Sequence, residues 1–176
     1  MTSGTKFLDA SDITRAIREV RQLSRDVMLA GGAAMQIYGS DRLTKDVDFV
    51  TTGPIPGLPE EGRLSFGGYR SHTATGVPVD VIIRSDDYAG LYEEALATAT
   101  RDPDLDVPVV APEYLAAMKM AAGRVKDEED LRSLILSGNL DLAKAETVIR
   151  NWLGRYGLSS FRAFVDEARW LAERER

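Results

Sequence analysis

LAGGAAMQIYGSDRLTKDVDFV, residues 29–50, decides how this chain is read. It follows Val27 and Met28, so that VMLA forms a short apolar run, and the run stops at Gly31-Gly32. A strand entering a sharp turn is expected there, because paired glycines permit backbone angles other residues avoid. AAMQIY (33–38) then predicts a short helix ending near Gly39. The next strand is centred on DVDFV, and it places two carboxylates, Asp46 and Asp48, at the mouth of an apolar run. Carboxylates are rarely buried without a partner.

In a strand, residues i and i+2 share a face, so Asp46 and Asp48 stand side by side. Two like charges at that spacing repel and raise one pKa unless a cation shares them. Mg²⁺ (or Mn²⁺) is the common solution, since it takes carboxylates, water and phosphate oxygens together. VPVDVIIR (77–84) offers a third carboxylate, because Asp80 interrupts a second Val/Ile-rich strand. If the two strands are neighbours, three carboxylates converge. The bland alternative has Asp46 ending a turn and Asp48 facing water. A lone Asp-x-Asp favours that alternative; its company with Gly31-Gly32 and Asp80 favours the site.

Working outward, SDITRAIREVRQLSRD (11–26) carries Ile13, Ile17, Val20 and Leu23 at helical spacing, with Ser11 or Asp12 as its cap. TTGPIPGLPEEG (51–62) is a Pro/Gly-rich loop, followed by short strands at RLSF (63–66) and YRSHTAT (69–75). A helix is predicted over residues 87–100 and an edge strand at VPVV (107–110). Beyond it lie four helical segments, with Gly138 and Gly157 as C-terminal stops. The expected class is α+β: residues 1–111 form a mixed sheet flanked by helices, and residues 112–176 a helical bundle packed on it.

The 176 residues are 44% apolar and 28% charged, an ordinary globular composition. Without cysteine, disulfides and thiolate metal sites are excluded. A single histidine, His72, leaves little for a His-based centre, and a solvent-facing role suits it better. The net charge of −6 weighs against sequence-independent nucleic-acid binding, though not against a small basic patch. MTSGTKFLDASD has no leader character, and no apolar run approaches the roughly 18 residues a membrane helix needs. A soluble, cytoplasmic protein that makes no membrane contact is expected.

The strand, Gly-Gly, helix and Asp46-Val-Asp48 of residues 29–50 resemble the first motif of the DNA polymerase β-like nucleotidyltransferase superfamily. Arg42 and Thr44 just before the aspartates are similar to the AbiEii-type toxin nucleotidyltransferases. Asp80 falls where that superfamily puts its third carboxylate. APEYLAAMKMAAGRVKDEEDLRSL (111–134) is similar to the helical segment of the same group, with Lys119 and the run Arg124–Leu131. One departure stands out: members often carry Ser or Thr beside the glycines, and here Ala33 and Ala34 follow.

The resemblance implies a metal-dependent transfer of a nucleoside monophosphate from a nucleoside triphosphate to RNA or protein, in a toxin–antitoxin or phage-defence setting with an antitoxin or other partner. It implies that Asp46, Asp48 and Asp80 hold the metal and act in catalysis. Gly31 and Gly32 would then cradle phosphates, with Ser40, Arg42, Lys45 and Lys119 as further nucleotide contacts. For Lys119 the alternative is a lysine whose stem packs while its ammonium stays wet. Asp127 and Asp130 read as an N-cap and the second half of a capping box. Two other classes stay open: a non-catalytic interaction protein on the same scaffold, and a small-molecule nucleotidyltransferase of the aminoglycoside-modifying kind.

Overall fold

The computed structural model describes residues 6–175. Residues 1–5 and Arg176, which the predicted domains include, lie outside the described residues. The chain divides into two compact units. One comprises the residues up to Gln36 together with Asp41–Val110; the other comprises Ile37–Ser40 and the residues from Ala111 onward.

The first unit is built on a seven-stranded mixed sheet. Its strands are β1 (Met28–Ala30), β2 (Val47–Val50), β3 (Gly62–Arg63), β4 (Gly68–His72), β5 (Pro78–Ile82), β6 (Thr100–Asp102) and β7 (Val107–Val109). Across the sheet the order is β3-β4-β5-β2-β1-β7-β6. The central strand β2 runs antiparallel to β1 and parallel to β5, while β1 runs parallel to β7. Val47, Phe49, Val79 and Val81 alternate onto one buried face of β2 and β5.

Helices α1 (Ala10–Leu23), α2 (Gly31–Ile37) and α3 (Ala89–Thr98) accompany the sheet, and α1 packs against β2. The buried stripe of α1 is Ile13, Ala16, Ile17 and Val20. Its cap is Asp9, not Ser11 or Asp12. The Asp9 carboxylate accepts the Asp12 amide at 2.8 Å, and Asp12 reaches back to the Asp9 amide as the other half of a capping box. The predicted edge strand is also corrected: β7 pairs with β6 on its outer side. The sequence of β6, Thr-Arg-Asp, has no apolar alternation to announce a strand.

The second unit is helical: α4 (Pro112–Ala122), α5 (Val125–Leu136) and α6 (Leu142–Arg174). Leu115, Ala116, Leu131, Leu134, Ile149 and Phe161 form its core. Residues 37–40 join it in part through the Tyr38 carbonyl, which accepts from Asn139 Nδ2 at 3.2 Å. The last two predicted helices are one element broken at Gly154 (φ 70°, ψ −172°), whereas Gly157 continues the helix. Gly157 instead marks a close approach, since a Cβ there would stand 2.5 Å from that of Leu153. The buried stripe after the break is Leu158, Phe161, Val165 and Ala168. Tyr156 and Trp170 are exposed.

Candidate functional site

The site begins with a register. On the parallel pair β2 and β5, Asp48 lies level with Asp80, and on the antiparallel pair β1 and β2, Ala30 lies level with Asp48. Both aspartates therefore share the face opposite Phe49 and Val81. Slipping either strand by one residue would drive a carboxylate into that apolar face, which is why burial fixes the register. Asp46 joins from the turn before β2. One carboxylate oxygen from each of Asp46, Asp48 and Asp80 lies within 4.8 Å of the others, and all three residues are half-buried.

Two glycines make this possible. Gly31 (φ 58°) leaves the space its side chain would fill to the carboxylate of Asp48. Gly32 does the same for Thr44, whose Oγ1 would stand 2.8 Å from a Cβ. Thr44 is buried, and its hydroxyl donates to the Asp46 carbonyl at 2.9 Å, so it positions the turn that delivers Asp46. The Thr44 carbonyl in turn accepts the Leu8 amide. The glycine pair thus serves the carboxylates and their support directly.

Arg70 is a residue that sequence reasoning missed. It lies directly opposite Asp80 on the antiparallel pair β4 and β5. Residues paired in this way share a face, with Cβ atoms about 5 Å apart. The row Arg70, Asp80, Asp48, Ala30 thus crosses four strands and sets one exposed guanidinium at the flank of the carboxylates.

The other predicted contacts are distributed differently. Arg42 belongs to the same unit, and its carbonyl accepts from Gln36 Nε2 at 2.8 Å. Lys45 is exposed, with its ammonium 5.2 Å from the centre of the Phe7 ring. Ser40 and Lys119 belong to the helical unit. Lys119 does not snorkel: at 8% exposure its Nζ lies 2.6 Å from Asp130 Oδ2 and 3.3 Å from Asp127 Oδ1. Asp127 is the third residue of α5, not its cap, and accepts the Arg124 amide at 3.2 Å and Arg124 Nε at 2.6 Å. Burial pushes the Asp127 carboxyl up, but Arg124 and Lys119 outweigh it and hold it below the ordinary carboxylate range. Asp130 pairs with Lys119, so it is not part of a capping box. His72 lies at the surface with Nδ1 2.6 Å from Glu61.

The chemistry of the triad follows from its donors. Three carboxylates supply hard oxygen ligands, and no thiolate or imidazole joins them. Oxygens within 4.8 Å of one another can share a divalent ion with ligand distances of about 2.0–2.6 Å. The residues fit Mg²⁺ or Mn²⁺, which would neutralise charges that otherwise repel.

No protein-family model and no curated protein sequence matches the chain. Solved structures do. The chain is similar to the antibiotic-resistance factor ANT(2'')-Ia, with 16% identity, a TM-score of 0.56, and coverage of 89% of this chain and 98% of that one. JHP933 from Helicobacter pylori follows at 11% identity and a TM-score of 0.52, with 96% of each chain covered. A candidate nucleotidyltransferase from H. pylori has 12% identity and a TM-score of 0.50, over 96% of this chain and 99% of that one. Among the described residues no helix is long and apolar enough to cross a membrane. At these identities the likeness is one of architecture: the chain has the nucleotidyltransferase fold.

Proposed function

We propose that this chain is a metal-dependent nucleotidyltransferase that moves a nucleoside monophosphate from a nucleoside triphosphate to a hydroxyl on RNA or protein. The observation that carries the reading is the meeting of Asp46, Asp48 and Asp80 within 4.8 Å on a sheet of this fold. Those three residues would hold Mg²⁺ or Mn²⁺, which when bound neutralises phosphate charge and favours in-line displacement. Asp80 would take the proton of the acceptor hydroxyl as its oxygen bonds to the α-phosphorus and the bond to pyrophosphate breaks. Gly31 and Gly32 keep Asp48 and Thr44 in place. Arg70, beside Asp80, and Arg42 and Lys45, just before the aspartates, are cations available to the triphosphate.

The motif of residues 42–48 is what supports an AbiEii-type protein acting in a toxin–antitoxin or phage-defence setting with an antitoxin partner. A second reading, transfer to a small molecule of the aminoglycoside kind, draws support from the likeness to an antibiotic-resistance factor. The test is calorimetric titration of the four ribonucleoside triphosphates, with and without Mg²⁺, into wild type and Asp46→Ala/Asp48→Ala protein. Binding that needs both metal and aspartates is expected. Folded wild type that binds no nucleotide would leave a non-catalytic interaction protein on the same scaffold.

A further inference from the structure

The residues that lead into α1 divide by role. Asp9 caps the helix. Leu8, directly before the cap, and Ile13, the fourth helical residue, are both buried at the positions of a hydrophobic staple. Leu8 therefore sets the entry of the chain into α1, and Phe7 is left with no such task. Its side chain is 48% exposed.

Phe7 is nevertheless tied to the turn that delivers Asp46. The Leu8 amide donates to the Thr44 carbonyl at 2.9 Å, and the Thr44 hydroxyl donates to the Asp46 carbonyl at 2.9 Å. Leu8 and Thr44 are both buried, so the residues beside them, Phe7 and Lys45, turn outward. There they meet: Lys45 Nζ lies over the Phe7 ring, 5.2 Å from its centre. A cation and an aromatic face thus stand together, one residue from a carboxylate of the triad. The contact between them is weak, as exposed cation–π pairs are, and a phosphate is the stronger partner for an ammonium. A lysine that leaves the ring for a phosphate uncovers the ring's face. The ligand that engages both groups at once carries phosphates and a flat aromatic ring, which describes a nucleoside triphosphate.

We propose that Phe7 stacks on the base of the nucleoside triphosphate while Lys45 engages its phosphates. The inference rests on the nucleotidyltransferase reading and adds to it the place of the base. Stacking accepts any base, because every base has a π-face. Phe7 therefore strengthens the binding of all four nucleotides without choosing among them.

The test is calorimetry of the full chain in Mg²⁺, comparing the four ribonucleoside triphosphates with inorganic tripolyphosphate, which carries the phosphates and no base. Phe7→Ala should weaken every nucleotide about tenfold, the scale of a lost base–aromatic stack, and leave tripolyphosphate unchanged. Phe7→Leu, apolar but without a π-face, should behave like Phe7→Ala. Phe7→Trp should retain nucleotide binding, and the emission of the added indole should be quenched by nucleotide but not by tripolyphosphate. Lys45→Ala should weaken both ligands. Circular dichroism of each variant separates lost binding from lost fold. Wild type that binds no nucleotide overturns the nucleotidyltransferase reading and this one together. Nucleotide binding that Phe7→Ala leaves unchanged overturns the stacking alone and returns Phe7 to a surface contact of Lys45. Tripolyphosphate binding that falls equally in Phe7→Ala also overturns it, making Phe7 a support of the turn that carries Asp46. Tripolyphosphate binding indifferent to Lys45→Ala overturns it as well, since the ammonium then has no phosphate to leave the ring for.

Discussion

Gly31 and Asp48 occupy one another's space: a Cβ built on Gly31 would stand 1.7 Å from Asp48 Oδ2 and 2.5 Å from its Cγ. The glycine is therefore required twice, once for its left-handed backbone and once for the carboxylate beside it. Gly31→Ala should cost about 1–2 kcal/mol for the backbone alone, with a further loss from displacing Asp48. In an Asp48→Ala background the atoms at 1.7 and 2.5 Å are gone, and only Cβ, at 2.9 Å, remains to be accommodated. A double-mutant cycle by urea denaturation should show a coupling of about 1 kcal/mol or more. Additive costs would mean that the close approach does not govern the position.

Asp80 completes the oxygen set from β5, whereas Asp46 and Asp48 come from one short stretch. Mn²⁺ should therefore raise the melting midpoint of wild type and have little effect on Asp80→Asn. At a hundredfold excess over Kd a bound ligand adds about 2.7 kcal/mol, which for a chain of this size corresponds to about 5–10 °C. Scanning calorimetry with and without Mn²⁺ checks it, and an equal rise in both proteins would place the metal elsewhere.

Arg70 stands opposite Asp80, close enough to serve charge on a bound triphosphate and also to compete with a cation. Arg70→Ala should weaken Mg²⁺-dependent nucleotide binding by about tenfold, roughly 1.4 kcal/mol. Affinity for Mn²⁺ without nucleotide should hold or improve in the same variant. Calorimetry of both titrations separates the two effects, and loss of metal affinity in parallel with nucleotide affinity would count against this role.

The contrast between Asp80 and Arg70 shows what could be read from sequence. Asp46, Asp48 and Asp80 each announced themselves locally, as charges set into apolar runs. Their convergence depended on β2 and β5 being parallel neighbours in one register, which the sequence allowed but did not require. Arg70 sits in the polar stretch YRSHT, where an arginine is unremarked, and its meaning comes only from cross-strand pairing. Strand β6 escaped for a related reason: Thr-Arg-Asp pairs through its backbone and buries too little to leave a pattern. Gly154 and Gly157 are alike in sequence context, and only the left-handed φ at Gly154 tells break from continuation. Asp127 and Asp130 were in view, but helix-capping chemistry was the stronger explanation for them, and their pairing with Lys119 emerged only from the packing of α4 against α5.

Lys119 is the cation between two aspartates exposed by only 1% and 2%. Removing one partner of a buried ion pair leaves a charge without compensation, typically at a cost of about 3–5 kcal/mol. Lys119→Met should fall at the low end, near 3 kcal/mol, because Asp127 keeps Arg124. Lys119→Met/Asp130→Asn should recover part of that loss, since one buried carboxylate fewer faces the missing ammonium. Urea denaturation of both variants decides it, and a double variant less stable than the single one would show that Asp130 depends on something other than Lys119.

Asp127 then gives the helical unit a pH dependence with a definite sign. Its carboxyl is held below the ordinary value of 3.8 in the folded chain, where the pull of Arg124 and Lys119 exceeds the push of burial. The unfolded chain takes up a proton there at about pH 4, before the folded chain does, so stability falls as pH falls. The stabilisation is fully present above about pH 4 and is lost as pH drops through the folded value. Asp127→Asn removes this titration. Its deficit in stability relative to wild type should be greatest near neutral pH and should narrow as the pH falls below about 4. Denaturation midpoints of the two proteins across that range measure it. A deficit that stays constant with pH would mean that Asp127 is equally perturbed, or equally unperturbed, in both states.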